Sequence, residues 1–176
     1  MILIDEYAEQ ELVTFLDAFK LAPQHATRCM HFQFANKAET EGLREVLIAA
    51  VQRHTHASSP KIFFCDAGDI VVIGEPLPSR EGNLVILDVV DHIKKPADQS
   101  WVMFDELARL VNILLARVEP VLETQRKAEE DARKVHEQQL LARKRQAILR
   151  NGANSKSSDI QQRRSTRQAP ELMMIE

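Results

Sequence analysis

The spacing of apolar residues predicts two amphipathic helices and a third, less regular segment in the first hundred residues. Steps of three and four between apolar positions predict one helix over residues 5–21 and another over 39–54. Pro23 ends the first helix, and Thr40 is a candidate N-cap for the second. The pattern over 83–94 fits either a helix or a strand. We favour a helix because Asn83 can cap it and no clean alternation is visible.

Between these segments the pattern changes to a period of two, which is typical of strands. Over 29–34 one side of the pattern holds Cys29, His31 and Gln33, and the other side holds only Met and Phe. This alternation predicts a strand with His31 on its polar side. Two β-rich runs, 61–65 and 70–73, flank a tight turn that contains Gly68 and predict a β-hairpin. The order strand, helix, hairpin, helix predicts an α+β domain over residues 1–122. Its ferredoxin-like or nucleotidyl-cyclase-like antiparallel sheet would have four strands or fewer, with helices on one face.

The second half of the chain has a long helical pattern over 100–150, with one proline at position 120. Its first part, 101–122, is dense in apolar residues and should pack as helix on the domain. Over 123–150 the pattern is polar, with a thin apolar seam that recurs every seven residues at Ala128, Val135, Ala142 and Leu149. This seam could support a weak coiled coil. The alternative is a solvated helix held by charge pairs such as Glu130–Lys134.

The chain after residue 150 has a different composition. Asn151-Gly152 predicts the end of the helix, and the polar residues 151–169 predict a disordered linker. The last residues, 171–176, form an apolar, strand-like run. We therefore divide the chain into the domain 1–122, a polar helix 123–150, and a segment 151–176 that contains a linker and the start of a following domain.

Composition narrows the classes of function. The chain is 28% charged with a net charge of -3, and it has no apolar run of about 18 residues. Acidic residues at the N-terminus argue against a secretory signal, and Cys29 and Cys65 lie in apolar runs, which predicts buried, reduced thiols. The basic residues near 143–145 and 163–164 have no aromatic neighbours for base stacking. We expect a cytoplasmic protein that binds neither membrane nor nucleic acid and uses no cofactor.

The predicted hairpin has a feature that points to a family. Residues 62–73 resemble the hairpin of diguanylate cyclase (GGDEF) domains, whose Gly-Gly-Asp-Glu-Phe turn presents acids to a metal and a nucleotide. The matching stretch is Ala67-Gly68-Asp69-Ile70-Val71, in which Gly68 and Asp69 agree and Ile70 replaces the acidic metal-site residue. The family's metal-binding Asp on the first strand has no counterpart in 29–34. The resemblance, over about residues 26–93, implies a degenerate domain without catalytic, metal or cofactor residues, because two-metal phosphoryl chemistry needs clustered carboxylates. Alternatively, Gly68 serves only the positive φ of a hairpin turn.

The end of the chain carries a second resemblance. Glu171-Leu172-Met173-Met174-Ile175-Glu176 is similar to the first strand of response-regulator receiver domains, in which an acidic pair follows an apolar run. Glu176 would be the first of those acids. This resemblance implies that the chain is the N-terminal part of a larger regulator. The alternative is a frayed apolar terminus.

These observations together predict a non-catalytic regulatory or interaction module of a bacterial-type signal-transduction protein. It would act as a homodimer or through a protein partner, by altering the pairing of the polar helix. The predicted interface residues are Leu114, Val118, Leu122, Val135 and Leu149. Two alternatives remain: an active nucleotide-binding or diguanylate cyclase-like enzyme, and a structural adaptor that docks through its long helix.

Overall fold

The computed structural model describes residues 1–56, 59–93 and 101–165. These residues form five strands: β1 (Ile2–Ile4), β2 (Arg28–Gln33), β3 (Lys61–Phe64), β4 (Asp69–Gly74) and β5 (Trp101–Glu106). They also form four helices: α1 (Ala8–Leu21), α2 (Lys37–His54), α3 (Ser79–His92) and α4 (Leu107–Ser165). The predicted α+β class is confirmed. None of the helices in this described part of the chain is both long and apolar enough to cross a membrane.

The five strands form one sheet in the order β1-β3-β4-β2-β5. All neighbours are antiparallel except β1 and β3, which are parallel. The succession β2, α2, β3, β4, α3, β5 has the split βαβ topology of ferredoxin-like folds, as predicted. Within it, the predicted hairpin is present as β3 and β4.

The predicted extent and covering of the sheet are wrong. The sheet has five strands rather than four or fewer, because the three-residue β1 adds a parallel edge strand that is too short to show a periodic pattern. Helices cover both faces rather than one. The burial of all six residues of β4 reflects this double covering, since a strand buried on both sides has no solvent-facing positions.

Two hydrophobic cores lie on opposite faces of the sheet. The first packs α1 and the start of α4 against one face, to which β2 and β4 contribute Cys29 and Val71. The second packs α2 and α3 against the other face, to which the same strands contribute Met30 and Val72. The alternation along each strand divides its side chains between the cores. Cys29 and Cys65 are both free and buried, as predicted.

The segment 101–106 is a strand and not the start of a helix, so the helix predicted over 101–122 is wrong at its N-terminal end. Its apolar spacing fits a helix, but its backbone pairs with β2 along the full length of both strands, from Arg28–Glu106 to Gln33–Trp101. Pairing with a distant strand overrides the local pattern here. The helix begins only at Leu107.

The helix starts also differ from prediction. The N-cap of α2 is Asn36, whose side-chain oxygen accepts a hydrogen bond from the Glu39 amide at 3.1 Å. Thr40 lies within the first turn instead, and its hydroxyl donates to the Lys37 carbonyl at 2.7 Å. The helix favoured over 83–94 is present, but α3 starts at Ser79 after Pro78, so Asn83 is not its cap.

The long C-terminal helix continues past the predicted stop. α4 runs through Asn151 and Gly152 to Ser165, so the predicted helix end and the linker prediction up to that residue are wrong. A single Gly costs a helix only about 1 kcal/mol, which is too little to force an end among good helix formers. The remaining linker residues and the receiver-like run 171–176 lie outside the described residues. The chain divides into two compact units, Met1–Gln125 and Arg126–Glu176.

Candidate functional site

The turn between β3 and β4 is tightly constrained by Gly68. Its φ is +92°, its amide donates to the Cys65 carbonyl at 3.2 Å, and its carbonyl accepts from the Phe34 amide at 3.0 Å. A Cβ at this position would lie 3.0 Å from backbone atoms of Phe34 and Asn36. The positive φ predicted for Gly68 is confirmed. The turn is therefore held against the end of β2.

The acid that follows this turn, Asp69, is almost fully buried. Its Oδ1 accepts a hydrogen bond from His31 Nε2 at 2.7 Å and another from Arg117 Nε at 2.9 Å. Its Oδ2 accepts from Arg117 Nη2 at 3.1 Å. The guanidinium thus binds the carboxylate in the two-pronged manner that gives Arg–carboxylate pairs their directionality. We call His31, Asp69 and Arg117 the Asp69 network.

Strand register and helix spacing bring these three residues together. His31 lies opposite Val71 on β4 and Gln33 lies opposite Asp69, so His31 and Asp69 are diagonal neighbours on one face of the sheet. On α4, Arg117 follows Leu114 by three residues and therefore lies on the sheet-facing side. The prediction that His31 lies on the polar side of the strand, at the surface or only partly covered, is wrong: it is 0% exposed because α1 and α4 cover that face.

Electrostatics explain how a buried carboxylate remains ionised in this network. Burial raises the pKa of Asp69, but the hydrogen bonds from His31 and Arg117 more than offset this effect. The resulting pKa of Asp69 lies below its ordinary value. An ionised Asp69 can only accept hydrogen bonds, so Nε2 of His31 is the donor in their hydrogen bond.

The lowered pKa of Asp69 predicts that the protein loses stability in acid. The native state holds the Asp69 proton more weakly than the unfolded chain does, so this stabilisation is complete above the unfolded pKa of about 4. It should fall as the pH decreases from there through the lower native pKa. Urea unfolding between pH 6 and pH 3 measures the effect. Asp69→Asn should flatten the dependence, and an unchanged pH profile in that variant would contradict the assignment.

A second acid in the turn, Asp66, connects three helices. Its carboxylate accepts hydrogen bonds from Lys37 on α2 and, at 3.2 Å, from Gln125 Nε2 on α4. Its backbone amide donates to Glu9 Oε1 on α1 at 2.6 Å. Unlike Asp69, Asp66 is half exposed. Both acids of the turn are therefore engaged by side chains of the same domain.

Comparison with known protein families, curated proteins and solved structures gives no match for this chain. The site must therefore be interpreted from its own geometry. Across residues 1–56, 59–93 and 101–165, no group of three or more His, Cys, Asp or Glu side chains is arranged to hold a metal ion.

The predicted interface residues fall into two groups. Leu114 and Val118 lie in the core between the sheet and α4, and Leu122 is also buried in the first unit. Val135 and Leu149 are 53% and 73% exposed in the second unit. The interface role of all five residues stays a prediction. Only the two exposed residues present side chains to a partner without a rearrangement of the first unit.

The Asp69 network was missed as a unit in the sequence, although two of its members carried a signal. Arg117 is a charged residue within the apolar stripe that includes Leu114 and Val118, and a charge in such a position needs a partner. His31 lies between Met30 and Phe32 in a strand. No local pattern pairs either residue with Asp69.

A shallow cavity of about 270 Å³ lies on the opposite side of the domain, between α2 and α3. Asp88 at its edge accepts hydrogen bonds from His54 Nε2 at 2.8 Å and from Arg53 Nη1 at 2.9 Å. The hydrogen bond from His54 lowers the pKa of Asp88. These contacts join α2 to α3, so the polar groups at this edge of the cavity serve helix packing.

Proposed function

We propose that this chain is a non-catalytic regulatory module of a cytoplasmic, bacterial-type signal-transduction protein, which works through protein–protein contacts. The observation that carries the proposal is the three-fold hydrogen bonding of Asp69 by His31 and Arg117. These bonds link the centre of the sheet to the first part of α4. The resemblance of the hairpin to a degenerate GGDEF domain agrees with this role.

The use of the turn acids supports regulation over catalysis. A cyclase-like enzyme needs the carboxylates of this turn to face a metal ion and the nucleotide phosphates. Asp69 instead is 2% exposed and holds an arginine of its own domain. Asp66 is held by Lys37 and Gln125. Both carboxylates thus connect the turn to helices of the same domain, which supports a structural use of these acids over metal binding.

The mechanism that follows is mechanical. α4 continues as a helix from Leu107 to Ser165, and in its first part, within the first unit, Arg117 binds Asp69 on β4. A partner contact that favours a different rotation of the first part of α4 must break the hydrogen bonds of the Asp69 network. The strength of the network therefore contributes to the free-energy difference between the native and the rotated arrangement of this helix. A partner that binds the polar part of α4 preferentially in one arrangement would shift the population toward it.

Calorimetric titration of the full chain with Mg²⁺ and GTP tests the enzymatic alternative. We expect no saturable heat of binding, because the turn carboxylates are already engaged. Asp69→Asn serves as the control, since it removes the charge at nearly constant size. Saturable binding that is lost in this variant would overturn the proposal and favour a nucleotide-binding enzyme.

Hydrogen exchange tests the mechanical coupling. Arg117→Met removes the guanidinium and keeps much of the apolar stem, so we expect amides over 126–150 to exchange at least about twofold faster. The matched control is Arg109→Met on the same helix, where the native arginine is 69% exposed and pairs only loosely with Asp105, at 3.5 Å. Equal exchange over 126–150 in both variants and the native protein would overturn the coupling.

A further inference from the structure

The second unit presents an unusually exposed helix. Every residue from 126 to 153 is exposed, and five large apolar side chains are among them: Val135, Leu140, Leu141, Ile148 and Leu149, at 53%, 43%, 49%, 70% and 73% exposure. An isolated helix gains little stability without the packing of an apolar face. Two of these side chains, Val135 and Leu149, lie 14 residues apart, which places them on the seven-residue repeat by which one helix packs on another.

The seam of this helix is defined by its seven-residue repeat. Its d positions are Ala128, Val135, Ala142 and Leu149, and its a positions are Ala132, Gln139 and Gln146. Three of these seven residues are alanines, so a second helix can approach closely at those positions. The flanking e positions are Glu129, His136, Arg143 and Arg150, and the flanking g positions are Asp131, Gln138 and Arg145.

Charge is distributed unequally along the seam. The first half, 126–137, contains four acids and four bases, but of these charged residues only the acids Glu129 and Asp131 flank the seam. The second half, 138–150, contains only basic charges, at Arg143, Lys144, Arg145 and Arg150. Two such helices attract each other along the seam when they run in opposite directions, because the flanking acids Glu129 and Asp131 of each helix then lie near the flanking arginines of the other.

We propose that residues 126–153 pair with the same segment of a second copy in antiparallel orientation. This inference rests on the proposed function and names its partner. The pairing centred on residue 137 places Glu129 opposite Arg143 of the second copy and Asp131 opposite Arg145 of the second copy. Two-fold symmetry repeats both contacts, which gives four ion pairs. A parallel pairing would instead place Arg145 opposite Arg150 of the second copy.

Charge reversal at position 145 should change the affinity of the dimer in opposite directions for the antiparallel and the parallel orientation. In the antiparallel dimer Arg145→Glu faces Asp131, so sedimentation equilibrium of the full chain should show about five- to tenfold weaker dimerisation. In a parallel dimer the same change would face Arg150 and strengthen association. The matched control is Lys144→Glu, which changes the net charge equally at a position pointing away from the seam and should have little effect. Adding Asp131→Arg to Arg145→Glu should restore affinity.

A distance measurement tests the orientation independently. A spin label on Asn151→Cys lies at an outward position, 14 residues beyond the centre at 137. Two labels in the antiparallel dimer should be about 40 Å apart along the axis, from a rise of about 1.5 Å per residue. Labels in a parallel dimer would lie at the same level along the axis and point away from each other, about 20 to 30 Å apart across the two helices. The native thiols do not interfere, because Cys29 and Cys65 are buried and burial raises the pKa of each.

The outcomes distinguish this inference from the function on which it rests. A short label distance, or stronger association of Arg145→Glu, would overturn the antiparallel orientation. A protein that stays monomeric at all concentrations up to about 10⁻³ M has a Kd above that value, and this result would overturn self-pairing altogether. The regulatory role is tested separately, by the titration with Mg²⁺ and GTP and by hydrogen exchange of the Arg117→Met variant. Neither of the results above changes the outcome expected in those two experiments.

Discussion

Asp69→Ala is expected to lower the free energy of unfolding by about 3 kcal/mol, because it removes the acceptor of one buried and two partly buried hydrogen bonds. The change leaves the Arg117 guanidinium and the His31 ring in a largely buried site without the carboxylate that compensates their desolvation. Urea unfolding followed by circular dichroism at pH 7 measures this loss.

Asp66→Ala is the matched control for Asp69→Ala. It removes the same functional group from the same turn, but this carboxylate is 53% exposed and its partner Lys37 is 58% exposed. Exposed ion pairs contribute less than about 1 kcal/mol, so the cost should be correspondingly small. Equal destabilisation by the two variants would show that the Asp69 network has no special role in holding α4 to the sheet.

Leu114→Ala is expected to cost about 3 kcal/mol of stability, because this side chain is 1% exposed within the core between the sheet and α4. The loss includes both the transfer free energy of the removed methyl groups and the cavity they leave. It should be independent of protein concentration, since the side chain packs within one chain. Urea unfolding at two protein concentrations tenfold apart tests both expectations.

Leu141→Ala on the same helix is the control, because Leu141 is 49% exposed. Alanine is a good helix former, so its stability at low protein concentration should stay within about 0.5 kcal/mol of the native protein. A cost for Leu114→Ala that grows with protein concentration would favour the interface role predicted for it from sequence over its role in the core.

Several elements could be predicted because their signals are local. The alternation over 29–34 identified β2, and the apolar runs around Gly68 identified the β3–β4 hairpin. Apolar steps of three and four identified α1 and α2. Each signal depends on residues a few positions apart, whose side chains share one face of a helix or strand whatever the rest of the chain does.

Other elements could not be predicted because their signals were weak or misleading. β1 has three residues, too few for a period to show, and it is a strand because it pairs with β3. The segment 101–106 has helical apolar spacing, and only its pairing with β2 makes it a strand. Local preference is worth a few tenths of a kcal/mol per residue, so tertiary hydrogen bonding and burial override it.

By itself, the sequence determined the α+β class, the hairpin with its left-handed glycine, the burial of both cysteines and the polar character of the distal half of α4. Tertiary structure alone decided that helices cover both faces of the sheet and that His31 is buried. It also joined Asp69 to residues 38 and 48 positions away. The physical reason is that periodicity and turn chemistry act between near neighbours, whereas a buried carboxylate finds its partners only when sheet register and helix packing bring distant residues together.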